Sequence, residues 1–285
     1  EILHGIEKES DDGTDLPHKS EVAVIELRSV SFAYPEIPSE LVLTNVSIEI
    51  PRGQVTAIVG ATGAGKTTIA DLFTGFYTPS TGEVLINGVN LNNLNLSSWR
   101  RKIGYVSQDI FLFNGSIREN IVLWEKDVPH TKVEHVARKA AIHDFITSLP
   151  DGYETTVGDR GLKLSGGQRQ RIGIARALAL NPSLVICDEA IAALDVSIQA
   201  QIINLLLDLQ NRLGLSFLFI SHDISMIGYF SDYIAVMYLG ELVEFGSTEE
   251  IFSNPQHEYT KTLLAAIPLP DPKGRNERKN ERLQL

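Results

Sequence analysis

The stretch of sequence that decides the fold is Val55-Thr56-Ala57-Ile58-Val59-Gly60-Ala61-Thr62-Gly63-Ala64-Gly65-Lys66-Thr67-Thr68. It opens with a short apolar run, which is typical of a strand buried on both faces, and it continues into the pattern G-x-x-x-x-G-K-[ST]. The glycines let the backbone curl until successive N–H groups point at phosphate oxygens, and the helix that follows presents its positive end to the same anion. We therefore predict that residues 60–68 bind nucleotide phosphates, with Lys66 reaching the β- and γ-phosphates and Thr67 offering its hydroxyl to Mg²⁺.

A second apolar run, Leu184-Val185-Ile186-Cys187, ends in Asp188 and Glu189. Acidic residues at the carboxyl end of a buried strand reach the crevice in which open α/β sheets bind ligands. We expect Asp188 to hold Mg²⁺ and Glu189 to orient or deprotonate an attacking water. The alternative is a surface turn with two solvated acids, which the neighbouring glycine loop disfavours. Together the two elements predict a P-loop NTPase.

The hydrophobic pattern around these elements predicts an α/β fold. Residues 22–50 alternate between apolar and polar, which is typical of half-exposed antiparallel strands, whereas later strands are continuous apolar runs separated by helices such as residues 197–213. Such alternation favours a mostly parallel core sheet preceded by an antiparallel β subdomain. Strand signals are sparse at about residues 94–180, so we predict a helical insertion there, including one helix over residues 131–149. Residues 1–21 read as a linker, 22–254 as the ATPase domain, and 255–285 as an extension with a disordered charged tail.

Composition limits the function classes. The 285 residues include 25 Lys and Arg against 36 Asp and Glu, which gives a formal net charge of −11. This charge argues against a nucleic acid bound mainly through its phosphates, although a local basic patch is still possible. Cys187 is the single cysteine, so no intramolecular disulfide forms, and we interpret it as a small buried hydrophobe. No run of about 18 apolar residues predicts a membrane span, and no signal-peptide pattern opens the chain. The first residue is not Met, which suggests a trimmed chain or a piece of a longer one.

The motif that discriminates among P-loop NTPases is Leu164-Ser165-Gly166-Gly167-Gln168, a small-residue turn that opens a helix and is itself an anion-binding surface. With this pentapeptide the sequence resembles the ABC ATPase family, whose signature it is, over about residues 22–250. The resemblance implies a RecA-like core and three further site residues. Tyr34 matches the aromatic residue that stacks on adenine, Gln108 the glutamine that contacts Mg²⁺ and the attacking water, and His222 the histidine that contacts the γ-phosphate.

The resemblance also implies partners and a place in the cell. Two such domains, identical or different, would lie head to tail, with two ATP molecules between them. Residues 164–168 of each would close on the ATP held by the other's glycine loop, so one chain alone should be a poor ATPase. The chain would then be the motor of a membrane transporter, bound at the cytoplasmic face through a separate membrane domain, with ATP and Mg²⁺ as cofactors.

Different segments of the sequence resemble different branches of the ABC ATPase family. Residues 113–120 and 156–161 resemble the motors of exporters, whereas residues 194–201 and 257–268 are similar to the motors of oligopeptide and dipeptide importers. We hypothesise a chimera with its seam near residues 175–188, either natural or made in a laboratory. Many such importer motors bind an iron–sulfur cluster through cysteines in the C-terminal extension. This extension has no cysteine, so we expect no cluster.

Two other functions stay open. One is a soluble ABC ATPase that acts on ribosomes or DNA, which the single ATPase module and the lack of heptads between the glycine loop and the signature disfavour. The other is a regulatory module that binds ATP but hardly hydrolyses it. Glu189 and His222 argue against it, but Ala192 stands where the family commonly has Ser, and this keeps it open.

Overall fold

The computed structural model describes residues 22–125, 127–158 and 164–267. The predicted linker at residues 1–21 and the charged tail from residue 268 onwards lie outside these ranges. Within them the chain folds into two sheets with helices around them. The α/β fold class predicted from the sequence is confirmed.

The first sheet is antiparallel and contains four strands in the order β2-β1-β4-β5. Its strands are β1 (Val24–Phe32), β2 (Leu43–Pro51), β4 (Thr81–Ile86) and β5 (Val89–Asn90). Along β2 the buried residues Val46, Ile48 and Ile50 alternate with exposed ones, as expected for a sheet with one face toward solvent.

The second sheet contains six strands in the order β10-β9-β3-β8-β7-β6, and all neighbours are parallel except the β9–β10 hairpin. These strands are β3 (Val55–Val59), β6 (Ile103–Ser107), β7 (Leu184–Asp188), β8 (Ser216–Ser221), β9 (Tyr233–Tyr238) and β10 (Glu241–Ser247). The register places Val59 beside Ser221, and Asp188 between Ile220 and Ser107. The loops after β3, β6, β7 and β8 therefore leave the same edge of the sheet, where α/β folds bind ligands.

Both faces of this second sheet are buried, which explains its continuous apolar runs. Ile58, Ile186 and Leu218 face a core shared with the antiparallel sheet, whereas Ala57 and Cys187 face a core formed with the helices. Cys187 is fully buried, in agreement with its interpretation as a hydrophobe, and burial raises the pKa of its thiol.

The helices connect and cover these sheets. They are α1 (Lys66–Phe73), α2 (Leu96–Arg100), α3 (Ile117–Val122), α4 (His130–Lys139), α5 (His143–Ser148), α6 (Gly166–Ala179), α7 (Val196–Leu213), α8 (Ile224–Ile227), α9 (Thr248–Ser253) and α10 (Glu258–Ala265). Helix α7 agrees with the predicted span and ends at Leu213, and the left-handed backbone of the next residue, Gly214, caps its last turn. Within the described residues, none of the helices combines the length and the apolar character that a membrane crossing needs.

The middle region adds one strand and one helix break to the predicted pattern. The range 94–180, predicted as mostly helical with sparse strand signals, also contains strand β6, which pairs with β7 at the edge of the core sheet. The single helix predicted over residues 131–149 is wrong, because α4 ends at Lys139 and α5 starts at His143. Ala141 adopts a left-handed backbone, and the N–H of Ile142 bonds the carbonyl of Ala137, so the chain stops the first helix with a Schellman motif.

Candidate functional site

The phosphate loop, residues 60–66, connects β3 to α1 at the ligand-binding edge of the core sheet. Gly60 is fixed by close approach, because a Cβ there would overlap the backbone carbonyl oxygen of Met237 in β9. Gly65 has a left-handed φ of 91°, and a Cβ there would lie 2.6 Å from a methyl of Leu43. These two glycines let the loop curl tightly against both sheets, which no other residue type allows.

The ammonium of Lys66 is enclosed by its own loop. The side chain is 6% exposed, and its Nζ donates to the carbonyl oxygens of Gly60 and Ala61, at 2.9 Å each. Burial lowers the pKa of Lys66, an effect that the charges of Glu189 and Asp188 oppose. The loop thus holds a buried cation next to two acids, and carbonyl dipoles solvate it.

The acidic end of β7 lies beside this loop. Asp188 Oδ2 accepts a hydrogen bond of 3.0 Å from the hydroxyl of Tyr105 on β6. Burial, together with the charge of Asp188, raises the pKa of Tyr105, so the tyrosine stays protonated as the donor. Sequence reasoning missed Tyr105, because only the pairing of β6 with β7 brings the two residues together.

Glu189 and His222 meet one residue beyond the ends of β7 and β8. Glu189 has a left-handed φ of 49°, and its N–H bonds the carbonyl of Ile220 at 3.0 Å. Its Oε1 lies 3.4 Å from His222 Nδ1. The glutamate side chain is mostly shielded, with 24% exposed, whereas the histidine is half exposed. A non-glycine residue with positive φ carries backbone strain, and such residues concentrate at functional sites.

The oxygen ligands expected for Mg²⁺ lie on three separate elements. The hydroxyl of Thr67 is on the exposed side of α1, the carboxylate of Asp188 ends β7, and the amide of Gln108 follows β6. Hydroxyl, carboxylate and amide oxygens suit this hard cation. The described residues contain no group of three His, Cys, Asp or Glu side chains that would hold a metal alone. That composition fits an ion held mainly by substrate phosphates and one carboxylate.

Gln108 lies on the side of the signature turn. It is exposed and lines a pocket of about 450 Å³ together with Gly166, Arg169 and Leu194. Across the described ranges, no hydrogen bond joins Gln108 to Lys66, Asp188 or Glu189. Charge interactions and one close contact link Lys66, Asp188, Glu189 and His222, and Gln108 follows the β6 residue that pairs with Asp188, at the same edge of the sheet.

Tyr34 belongs to an aromatic cluster at the edge of the antiparallel sheet. Its ring meets Phe32 and Tyr77 edge to face, with centroids 5.1 and 5.2 Å away, and its hydroxyl lies 2.9 Å from Thr68 Oγ1 on α1. The half-buried ring is thus tied to the helix that follows the phosphate loop. Tyr77 was not predicted, since nothing near it in sequence marks it.

The signature turn, residues 164–168, begins α6. Ser165 is the N-cap, its hydroxyl accepting the N–H of Gln168 at 3.2 Å while Gln168 Oε1 accepts the N–H of Ser165 at 2.9 Å. Gly166 and Gly167 pack on the start of α7, where added Cβ atoms would lie 3.0 Å from Leu194 and 2.9 Å from Ile198. Ser165 itself is exposed, so the predicted anion-binding surface faces outward.

One contact of the phosphate loop was not foreseen. The hydroxyl of Tyr259, on helix α10, accepts the N–H of Ala61 at 3.0 Å. The two residues are 198 positions apart in the chain, so no local pattern pointed to the pair.

Comparison with known families finds two matches along the chain. Residues 43–192 match the family described as ABC transporter, and residues 243–284 match the oligopeptide/dipeptide transporter C-terminal region. The second match includes helix α10 and continues past the described residues.

Similar proteins include transporters of different architecture. ABC transporter B family member 1 of Arabidopsis thaliana is 42% identical over 259 residues, which cover 91% of this chain and 20% of that protein. A Brucella ovis protein named for peptide import and ATP binding is 40% identical over 270 residues, 91% of this chain and 83% of that protein. The solved structure of a bacterial Atm1-family ABC exporter with ATP bound matches with a TM-score of 0.77 and 35% identity, covering 90% of this chain and 44% of that one. The chain thus spans only a part of the plant protein and of the exporter.

Proposed function

Because this chain belongs to the ABC transporter family and carries its ATP-binding domain, we propose that it is the ATP-hydrolysing motor of a transporter. Two chains, identical or different, lie head to tail in this proposal and hold two ATP molecules between them. The pair drives translocation by a membrane domain from the cytoplasmic face of the membrane. Relatives named for export and for peptide import support the transport role.

The observation that carries the proposal is the enclosed ammonium of Lys66 beside the acidic end of β7. Neutral carbonyl oxygens hold this cation, so an arriving triphosphate replaces them with charged oxygens and forms stronger, charge-assisted hydrogen bonds. Backbone N–H groups of residues 62–68 and the N-terminus of α1 donate to the same phosphates. We assign Gly60, Ala61, Thr62, Gly63, Ala64, Gly65, Thr67 and Thr68 to this phosphate site with Lys66.

Glu189 is the residue that we assign to water activation. It orients a water molecule in line with the γ-phosphorus and accepts its proton as the new P–O bond forms and the bond to the β-phosphate oxygen breaks, so that ADP and phosphate leave. His222, which lies 3.4 Å from the same carboxylate, donates to the γ-phosphate. The strained backbone of Glu189 supports a role that depends on a fixed side-chain direction.

Thr67, Asp188 and Gln108 are the residues that we assign to Mg²⁺, and their oxygen-only ligand set supports this choice. When bound, the ion neutralises negative charge on the β- and γ-phosphate oxygens. Gln108 follows the β6 residue that pairs with Asp188 and also lines the pocket beside the signature turn, which makes it suited to reporting contacts made by the helical region and a membrane domain. Tyr34 stacks on the adenine in this proposal, and its bond to Thr68 places that ring beside the phosphate loop.

The second half of each ATP site comes from the partner chain. The hydroxyl of Ser165 accepts a hydrogen bond inside its own capping box, and its O–H remains as a donor. A surface that closes on the γ-phosphate of another chain needs donors that face solvent. The signature turn provides a hydroxyl donor and a helix N-terminus there, and we assign to this surface Leu164, Ser165, Gly166, Gly167 and Gln168.

The test of this proposal is the ATPase rate per chain, measured against protein concentration with Mg²⁺ present. If two chains build each site, the rate per chain rises with concentration and levels off. The variant Glu189→Gln should bind ATP, lose turnover by about 10²-fold or more, and migrate as a dimer with ATP. The exposed Glu249→Gln is the matched control. A rate per chain independent of concentration, or full turnover in Glu189→Gln, contradicts the assignment.

The direction of transport follows from which partner the chain accepts. The chimera with a seam near residues 175–188 stays a hypothesis, because the ABC transporter match continues through that range to residue 192 and the C-terminal match begins only at residue 243. We expect co-purification with membrane domains of both exporter and importer type to reveal which half determines the partner. If the chain binds RNA or DNA tightly, in a salt-sensitive manner, and shows no other activity, the transport role is wrong.

A further inference from the structure

The contact between Tyr259 and the phosphate loop has an unusual arrangement. The peptide group that joins Gly60 to Ala61 is held at both ends: its N–H donates to Tyr259 Oη at 3.0 Å, and its carbonyl oxygen accepts from Lys66 Nζ at 2.9 Å. A peptide group is planar and trans, so fixing the direction of the N–H also fixes the direction of the carbonyl. Tyr259 therefore orients the carbonyl on which the ammonium of Lys66 rests.

Tyr259 is itself held in place by several contacts. Its ring lies against Tyr238 at the end of β9, with centroids 4.3 Å apart and planes tilted by 32°. The loop before α10 is fastened to β10, because the carboxylate of Glu244 accepts the N–H groups of Gln256 and His257 at 2.8 and 3.1 Å. His257 Nδ1 then accepts the N–H of Tyr259 at 3.1 Å. These contacts fix the position of the Tyr259 hydroxyl beside the phosphate loop.

These contacts join two parts of the sequence that match different families. Ala61 lies in the region matched as ABC transporter, and Glu244, His257 and Tyr259 lie in the region matched as the oligopeptide/dipeptide transporter C-terminal region. Met237, which precedes Tyr238, is the residue whose carbonyl forces Gly60 to be glycine. The first peptide of the phosphate loop is therefore positioned from the C-terminal side of the chain.

We propose that Tyr259 is a positioning residue for the phosphate loop, through which residues 243–267 set the affinity of the site for the triphosphate of ATP. The proposal rests on the ATP site described under the proposed function. No hydrogen bond, ion pair or ring contact joins Tyr259 to Glu189 or His222 in the described part of the chain, so it acts on binding and leaves the chemical step alone. Loss of one hydrogen bond to a partly exposed peptide corresponds to about a fivefold change in affinity.

The experiment compares Tyr259→Phe with Tyr238→Phe in the full chain. Both variants keep the contact between the two rings, but only the first removes a hydrogen bond to the phosphate loop. Equilibrium titration with a fluorescent N-methylanthraniloyl ATP and Mg²⁺ should show about fivefold weaker binding for Tyr259→Phe and no change for Tyr238→Phe. The KM for ATP should rise by the same factor while kcat stays within about twofold of the unmodified chain.

A second readout keeps the result interpretable if Tyr259→Phe is less stable. The amide resonance of Ala61 in a ¹H–¹⁵N spectrum should shift in Tyr259→Phe and stay in place in Tyr238→Phe. Equal affinities for the two variants, or a fall in kcat with KM unchanged, overturns the positioning role. If the unmodified chain itself shows no affinity for the nucleotide, the proposed function fails first, and this outcome is distinct from equal binding by both variants.

Discussion

The phosphate loop and the signature turn both contain glycines and both begin a helix, but they are held by different contacts. The phosphate loop is tied to distant parts of the chain, through Met237 at Gly60 and Tyr259 at Ala61. The signature turn satisfies its own polar groups in a capping box between Ser165 and Gln168, and its serine is exposed. Of the two predicted anion-binding surfaces, one is enclosed and the other faces outward.

This difference indicates a division of labour between the two surfaces. An enclosed loop with a buried cation is preorganised for a charged ligand, so it should bind nucleotide in a single chain. In the outward-facing turn the N–H groups of Ser165 and Gln168 are already bonded, and no buried cation lies beside it, so we expect it to bind an anion tightly only when a second chain presents one. If the signature turn proves necessary for ATP to bind to a single chain, this division of labour is wrong.

The largest expected effect is that of Lys66→Ala on nucleotide affinity. The variant removes the buried cation, and with it two charge-assisted contacts of about 1.5–3 kcal/mol each, so the Kd for ATP should rise by about 10³-fold. The exposed Lys132→Ala on α4 removes an equal charge far from the loop and should change nothing measurable. Calorimetric titration with ATP and Mg²⁺ provides the measurement. Retained affinity in Lys66→Ala means that the loop is not the phosphate site.

The next largest effect is a difference in the free energy of unfolding between a glycine variant of the phosphate loop and one of the signature turn. In Gly60→Ala the new methyl overlaps a backbone carbonyl, which cannot move aside, so the free energy of unfolding should fall by about 3 kcal/mol. In Gly167→Ala the methyl meets the γ2 methyl of the Ile198 side chain and no backbone atom, and the gain in helix propensity of up to about 1 kcal/mol offsets part of the cost. Urea unfolding of the two variants measures the difference. Equal losses contradict the view that only the phosphate loop is fixed by the rest of the fold.

The sequence predicted what is encoded locally. The buried strands are continuous apolar runs because both faces of the sheet are covered, and the phosphate loop and signature turn are contiguous motifs. Strand β6 was missed because Gly104 and Tyr105 interrupt its apolar pattern, and the break at Ala141 because its backbone leaves no mark in composition.

What the sequence could not provide was the pairing of distant residues. The bond between Tyr105 and Asp188 depends on the register of β6 against β7, and the bond between Tyr259 and Ala61 depends on where α10 lies. The roles of Tyr34, Gln108 and His222 came from the resemblance to a family, and they remain predictions. Only in the folded chain do His222 and Glu189 come within 3.4 Å of each other.

The smallest effect concerns the loop between the two surfaces. Ala192 is exposed, its N–H bonds the carbonyl of Glu189 at 3.0 Å, and the resemblance to the ABC ATPase family predicts a serine at this position. The hydroxyl of Ala192→Ser would add one donor where the signature turn of a second chain approaches, so turnover should rise by about threefold while ATP affinity stays constant. Ala193→Ser adds a hydroxyl to the exposed neighbour and serves as the control. Steady-state ATPase assays at saturating protein concentration compare the two variants. An equal gain in both means that the added hydroxyl acts through solvation and makes no contact across the chain interface.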